Sequence, residues 1–233
     1  MTADRVLYTS PEMERLAREE FPEVLRGKTG VVPHGFVPDW YDLTSLSPSP
    51  AGPLRVLHTG HFYGPRTPRP LLRALERLNG DHLEDRLVFS FYGSFPEADR
   101  NALRGTPLER AFQIHGTVPY LESLAHMRQH DMLLLVDAPL RDQSESVFLP
   151  SKLVDYLGSG KPVMAISPME GATARVVRQV GGYLCDVGDV DGIRQCLAEV
   201  LNGRSLRTPD PSRAAEYHYL NTADRMLEYL KSC

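Results

Sequence analysis

Phe148-Leu149-Pro150-Ser151-Lys152-Leu153-Val154-Asp155-Tyr156-Leu157-Gly158-Ser159-Gly160-Lys161-Pro162-Val163-Met164-Ala165-Ile166 reads as a loop, a helix, a glycine stop and a buried strand. Ser151 stands where an N-cap belongs, because its hydroxyl can accept from an amide of the first turn. Leu153, Val154 and Leu157 form the apolar stripe, and Gly158 or Gly160, with Pro162 beyond, ends the helix. The free amides after Pro150 and the helix dipole together favour an anion, and Lys152 adds a full positive charge beside them. Asp155 lies one turn deeper on the same face, placed to accept from hydroxyls of a molecule whose phosphates rest on the helix end. A phosphate site and a diol site one turn apart point to a nucleotide. The same residues also fit an ordinary capped helix of an α/β protein, and this stretch alone does not separate the two readings.

The totals bound the answer without deciding it. At 233 residues the chain holds one large domain, or one domain plus a fragment of another. The composition is 42% hydrophobic and 24% charged with a formal charge of −4, which argues against a general nucleic-acid binder. No apolar run approaches the ~18 residues that span a bilayer, and no signal peptide is read at the start. Cys185, Cys196 and Cys233 show no metal spacing, which fits reduced thiols in a cytoplasmic protein.

Outward from the central stretch, strands and helices alternate. Val6 to Tyr8 reads as a short strand before a helix capped by Ser10, and Thr29 to Pro33 as a second strand ending at His34-Gly35-Phe36. This opening, residues 1–44, is too small for a core of its own. Residues 45–53, rich in serine and proline, read as a linker. Strands follow at Leu54 to His58, Leu87 to Tyr92, Phe112 to His115, Met132 to Val136 and Gly182 to Cys185. Helices are read near Pro68 to Leu78, Glu97 to Leu103, Leu121 to Arg128, Ala172 to Gln179 and Val190 to Leu201. One amphipathic helix from about Ser212 to Lys231 folds back across the sheet, closing a main domain of residues 54–205. The alternation predicts a Rossmann-like, doubly wound parallel sheet with ligands outside the carboxyl ends of its strands. The loops after Gly60, Gly93, Gly116 and Phe148 all fall on that rim. The run Asp186-Val187-Gly188-Asp189-Val190-Asp191 reads as a turn plus a cap rather than a metal loop.

In this order the residues resemble a known family. Gly60 and Arg66 after a strand, Gly93 after the next, His115-Gly116-Thr117-Val118-Pro119, and Pro150-Ser151-Lys152-Leu153 with its Gly160-Lys161-Pro162-Val163 ending are similar to the C-terminal, donor-binding half of GT-B glycosyltransferases. The group most like it is the retaining family-4 (group 1) enzymes. Val31-Val32-Pro33-His34-Gly35-Phe36 resembles their hinge into the donor domain. The resemblance implies one half of a GT-B fold that binds a UDP- or GDP-sugar, with no metal. It implies that Gly60, Arg66 and the amides of Ser151, Lys152 and Leu153 hold the diphosphate. Gly93 would belong to the same rim, Asp155 would take the ribose hydroxyls, and backbone groups of Val118 the base. Arg66 and Lys152, with Glu145 facing the sugar, would be the catalytic groups, offsetting charge on the departing diphosphate.

Departures from the pattern matter as much. His61 replaces the usual arginine after the glycine, leaving one fixed charge fewer. Eight positions before Asp155 stands Val147 rather than the family's sugar-contacting glutamate, which makes Glu145 the nearest substitute. The resemblance also implies an acceptor-binding N-terminal domain that is not read among these residues, so transfer is expected to need that domain or a separate acceptor subunit. The alternative is a non-catalytic nucleotide-sugar-binding or assembly subunit.

Overall fold

The computed structural model describes residues 3–42, 52–78, 82–139, 144–202 and 206–231. Residues 45–51 of the expected linker and Cys233 lie outside that set. The chain opens with β1 (Val6–Tyr8), α1 (Pro11–Glu20), α2 (Pro22–Leu25), β2 (Thr29–Val31) and α3 (Asp39–Asp42). β3 (Leu54–Thr59), α4 (Arg69–Glu76), β4 (Leu87–Tyr92), α5 (Glu97–Leu103), β5 (Phe112–His115) and α6 (Tyr120–Gln129) follow. β6 (Met132–Val136), α7 (Ser151–Ser159), β7 (Val163–Ser167), α8 (Ala172–Gln179), β8 (Tyr183–Asp186) and α9 (Val190–Asn202) complete the main domain. The chain then ends on α10 (Pro211–Ala214) and α11 (Tyr219–Lys231).

Strands β3 to β8 form one all-parallel sheet in the order β5-β4-β3-β6-β7-β8. This is the doubly wound arrangement expected, and its strand order reverses between β3 and β6. Every residue of Met132-Leu133-Leu134-Leu135-Val136 and of Val163-Met164-Ala165-Ile166-Ser167 is buried, as a strand covered on both faces requires. Alternation divides the side chains. Met132, Leu134, Val136, Met164 and Ile166 join Leu71, Leu75, Ile193 and Leu197 of α4 and α9. Leu133, Leu135, Val163 and Ala165 meet Leu124, Leu153, Leu157 and Val176 of α6, α7 and α8 on the other face.

One side chain sets the height of α7 against this sheet. The buried Tyr156 hydroxyl accepts from the Thr59 amide (3.0 Å) and donates to the Leu134 carbonyl (3.2 Å). It thereby fastens the helix to the carboxyl end of β3 and the middle of β6 at the point of reversal. Burial pushes its phenol up to about 12, against the opposing effect of the Thr59 bonds.

Two local expectations need correction. Ser151 is not the N-cap of α7: Pro150 is, with φ −63° and ψ 128°, and no side chain caps the end. The proline ring fixes the extended turn from which the helix starts, so Ser151 becomes the exposed first helical residue. The last segment is not one helix either. Between α10 and α11 lie a 3-10 turn, Ala215–Tyr217, and an extended His218. The Phe36 amide donates to Tyr217 O (2.9 Å) and the Tyr219 amide to Phe36 O (3.0 Å). Pairing with the N-terminal segment takes the backbone groups that a continuous helix would have used. The aspartate run is a turn plus cap, as expected, with Asp186 accepting from the Gly188 amide and Asp189 from the Gly192 amide.

The N-terminal segment packs on the main domain. β1 and β2 pair in parallel as a separate two-stranded sheet. Ser10 caps α1 by accepting from the Met13 amide (3.1 Å) and donates to the Val147 carbonyl (2.5 Å). Arg175 makes a two-pronged pair with Glu12, and Tyr41 donates to the Asp155 carbonyl (2.7 Å). Cys185 is buried and Cys196 half-buried, both as free thiols.

Replacing Tyr156 by phenylalanine leaves the Thr59 amide and the Leu134 carbonyl without this partner in a dry site. Unfolding in urea is expected to show a loss of about 1–3 kcal/mol. A variant as stable as the parent would mean that this hydroxyl does not hold α7 to the sheet.

Candidate functional site

Two loops meet where the strand order reverses. After β3 the chain runs through Gly60 to Arg66, and immediately after β6 stands Asp137. Arg66 Nε and Nη2 both donate to Asp137 Oδ1, at 2.9 and 2.8 Å. The guanidinium also lies over the Tyr63 ring, 4.7 Å from its centroid. Asp137 has no exposed surface. Its Oδ1 also accepts from the Ala138 amide (2.9 Å), and its Oδ2 accepts from Ser146 Oγ (2.5 Å) and Thr173 Oγ1 (2.7 Å). The carboxylate thus joins the β3 loop, the end of β6, the loop before α7 and the first turn of α8.

Three of the four predicted rim loops are joined by backbone. The Gly60 amide donates to Tyr92 O (2.7 Å) and the Gly93 amide to Gly116 O (3.2 Å). Gly60 has φ +105° and Gly93 φ +129°, and a Cβ on Gly93 would stand 2.1 Å from the Gly60 carbonyl oxygen. Only glycine tolerates both the dihedral and the approach. The loop after β5 is braced from behind by stacked rings, with Tyr92 between His115 (4.3 Å) and His126 (4.0 Å). Val118 is half-buried on that loop. His61 accepts from the Ser94 amide (3.1 Å), so it ties the first loop to the second.

The fourth loop arrives through α7. Lys152 reaches back over Gly60, where an added Cβ would meet its Nζ at 2.7 Å. Burial first and the Arg66 guanidinium second pull its ammonium down to about 8, with Asp137 opposing them. The neighbouring His58, buried and stacked on Phe62 at 4.6 Å, is held at about 3 by burial and by Lys152. Its Nδ1 donates to Leu134 O (3.0 Å). Two cations therefore stand beside Gly60, with Asp137 as the carboxylate between the strands. The Leu153 amide donates to Pro150 O (3.0 Å), which removes it from the set of free donors. The amides of Ser151 and Lys152 take no partner among the described residues and remain available to an anion.

Asp155 sits one turn further along. Its Oδ1 accepts from the Tyr120 hydroxyl (2.7 Å), and Oδ2 carries no bond among the described residues. Burial raises its carboxyl, opposed by the Tyr120 bond and by His34. Glu145 is elsewhere engaged: its carboxylate pairs with Arg15 of α1. Val147, at the position of the family's glutamate, is completely buried. Arg66, Lys152, Gly60, Gly93, His61 and the end of α7 are thus gathered on one rim, with Asp155 a turn away, while Glu145 is turned to the N-terminal segment. The sequence reading missed Asp137, Tyr156 and Tyr120. A carboxylate directly after a fully apolar strand was the available signal for the first of these.

Among the described residues no three His, Cys, Asp or Glu side chains are grouped to hold a metal, and no helix is long and apolar enough to cross a membrane. A cavity of about 500 Å³ bounded by Pro11, Glu14, Arg15, Arg18, Glu19, Pro22 and Arg26 shares no lining residue with the rim.

No family model matches the chain, and no curated protein does. Solved structures do match in fold. A glycosyltransferase of Rickettsia africae superposes with a TM-score of 0.76 at 14% identity, over 98% of this chain and 63% of that one. Anabaena HepE in complex with UDP and glucose gives 0.71 at 16% identity, over 99% and 64%. The lipopolysaccharide outer core galactosyltransferase WaaB gives 0.71 at 18% identity, over 99% and 62%. The fold is that of a GT-B glycosyltransferase, with the parallel sheet and flanking helices of its Rossmann-like half. The chain spans less than two thirds of the length of each of these three proteins.

NMR titration of labelled lysine side chains is expected to give Lys152 a midpoint near 8. In Arg66→Met the midpoint should move up, because a like charge is lost and Asp137 is left without its cation, two changes of the same sign. An ordinary lysine midpoint in the parent protein would refute the described crowding of charge.

Proposed function

We propose that this domain binds a nucleotide-diphosphate sugar and serves as the donor half of a retaining, hexosyl-transferring glycosyltransferase, working with an acceptor-binding domain or subunit. The observation that carries this is the grouping of Arg66, Lys152 and the two free α7 amides around Gly60, at the strand-order reversal of a GT-B fold. Such a reversal is where doubly wound sheets take ligands. A helix end flanked by two cations suits a diphosphate. The Anabaena neighbour was crystallised with UDP and glucose, which favours UDP-sugars as the first class to test. In this reading Asp155 Oδ2 receives the ribose hydroxyls, the loop at Val118 lines the base, and the cations stabilise the leaving diphosphate without a metal.

A second reading, a nucleotide-sugar-binding subunit without transferase activity of its own, is favoured by two observations. Val147 is buried in the place of the sugar-contacting glutamate, and the Glu145 carboxylate pairs with Arg15. Slow hydrolysis of a bound UDP-sugar would separate the two readings, since only the first includes a competent leaving-group site.

Calorimetry with UDP and GDP tests both. Binding of one of them is expected, and Arg66→Ala should weaken it by about 1–3 kcal/mol through loss of a charged contact. Absence of binding of either nucleotide at millimolar concentration would remove both readings.

A further inference from the structure

We propose that Asp137 is a positioning residue for the diphosphate: it holds Arg66 in one orientation so that a single edge of the guanidinium is presented to the anion. The proposal rests on the donor-site reading above. Three features of the geometry carry it. First, Arg66 is constrained on two sides, with Nε and Nη2 on Asp137 Oδ1 and its face over Tyr63, while Nη1 has no partner among the described residues. A guanidinium presents its donors in a rigid fork, so fixing one edge fixes the direction of the rest.

Second, Asp137 is itself immobile. It has no exposed surface and takes the Ser146 and Thr173 hydroxyls on Oδ2 and the Ala138 amide on Oδ1. These donors come from three segments outside the β3 loop, so the edge of Arg66 that meets Asp137 is anchored beyond its own loop, which contributes the Tyr63 ring against its face. Third, the charges add sensibly. Arg66 and Lys152 stand close enough to depress the lysine, and the carboxylate that opposes this belongs to Asp137. Two cations and one anion leave one net positive charge for a ligand that brings at least two negative ones. The carboxylate does not touch the diphosphate in this scheme; it acts through Arg66.

The test compares UDP with UMP, or GDP with GMP if the parent protein prefers guanine, by calorimetry on the full chain. A residue that only supports the fold changes both affinities alike, whereas one that aims Arg66 changes the preference for the diphosphate. Asp137→Ala is expected to reduce that preference about tenfold, and to reduce it no further when Arg66→Ala is already present. Asp137→Asn keeps an acceptor oxygen for the guanidinium and should fold where alanine does not. Its smaller loss should likewise vanish in the Arg66→Ala background. A folded Asp137 variant that keeps the parent preference, or whose loss multiplies with that of Arg66→Ala, overturns the proposal while leaving the donor site standing. If the parent protein binds neither nucleotide, the donor reading fails and this proposal fails with it.

Discussion

A carboxylate with no exposed surface is stable only if its charge is met by a cation and its oxygens by donors. Asp137 has both. An unpaired ion there would cost several kcal/mol, so the chain must bring Arg66, Ser146, Thr173 and the Ala138 amide to it together. Those groups belong to the β3 loop, the loop before α7, the first turn of α8 and the end of β6. The order of the whole carboxyl-terminal rim is therefore coupled to one buried charge. The result is an arginine pinned at the sheet's crevice rather than a flexible one on the surface. A cation held still at the crevice of a doubly wound sheet presents its charge without paying rotamer entropy at the moment of binding.

The second constraint is the height of α7, which the Tyr156 hydroxyl sets from below and Lys152 uses from above. Tyr156 points into the sheet between Thr59 and Leu134, while Lys152, four residues earlier on the same helix, points back over Gly60. The two contacts bracket the first turn. With Pro150 in place of a side-chain cap, the Ser151 and Lys152 amides are left to face whatever lies beyond the helix end. A serine cap would have satisfied one of those donors internally. The absence of a side-chain cap is thus the arrangement that leaves the most amide donors open to an anion, and Ser151 takes part through its backbone rather than its hydroxyl.

Much of the fold could be read directly. Met132-Leu133-Leu134-Leu135-Val136 is too apolar for any place except the middle of a covered parallel sheet, and the glycine-ended strands marked the rim. Gly60 and Gly93 are legible as glycines that follow strands, Lys152 as a cation in the first turn of a helix, and Arg66 only through the family resemblance; the structure gathers all four. What escaped depended on contacts far apart in the chain. Nothing local says that Asp137 will find Thr173, or that Tyr120 will reach Asp155 from a different helix. The break before α11 was also invisible, because Ser212 to Lys231 is amphipathic throughout. Only Phe36, almost two hundred residues earlier, makes an extended His218 worthwhile. Residue pattern reports which face is buried, and it does not report which partner fills the last hydrogen bond.

The two ends of the rim are unequally furnished. Around Gly60 the chain supplies two cations, two free amides and a buried carboxylate to order them. Further along, the segment that would offer a carboxylate to a sugar is committed elsewhere. Val147 is buried and its carbonyl is taken by Ser10, and the Glu145 carboxylate goes to Arg15. Both commitments are made to the same element, α1, which Arg175 also grips through Glu12. Whatever displaces α1 must therefore break the Glu145 pair and loosen the loop that carries Ser146, one of the hydroxyls on Asp137. The Ser10–Val147 bond, the Glu145–Arg15 pair and the Ser146–Asp137–Arg66 bonds thus place α1 and the Arg66 guanidinium at the two ends of one short run of contacts.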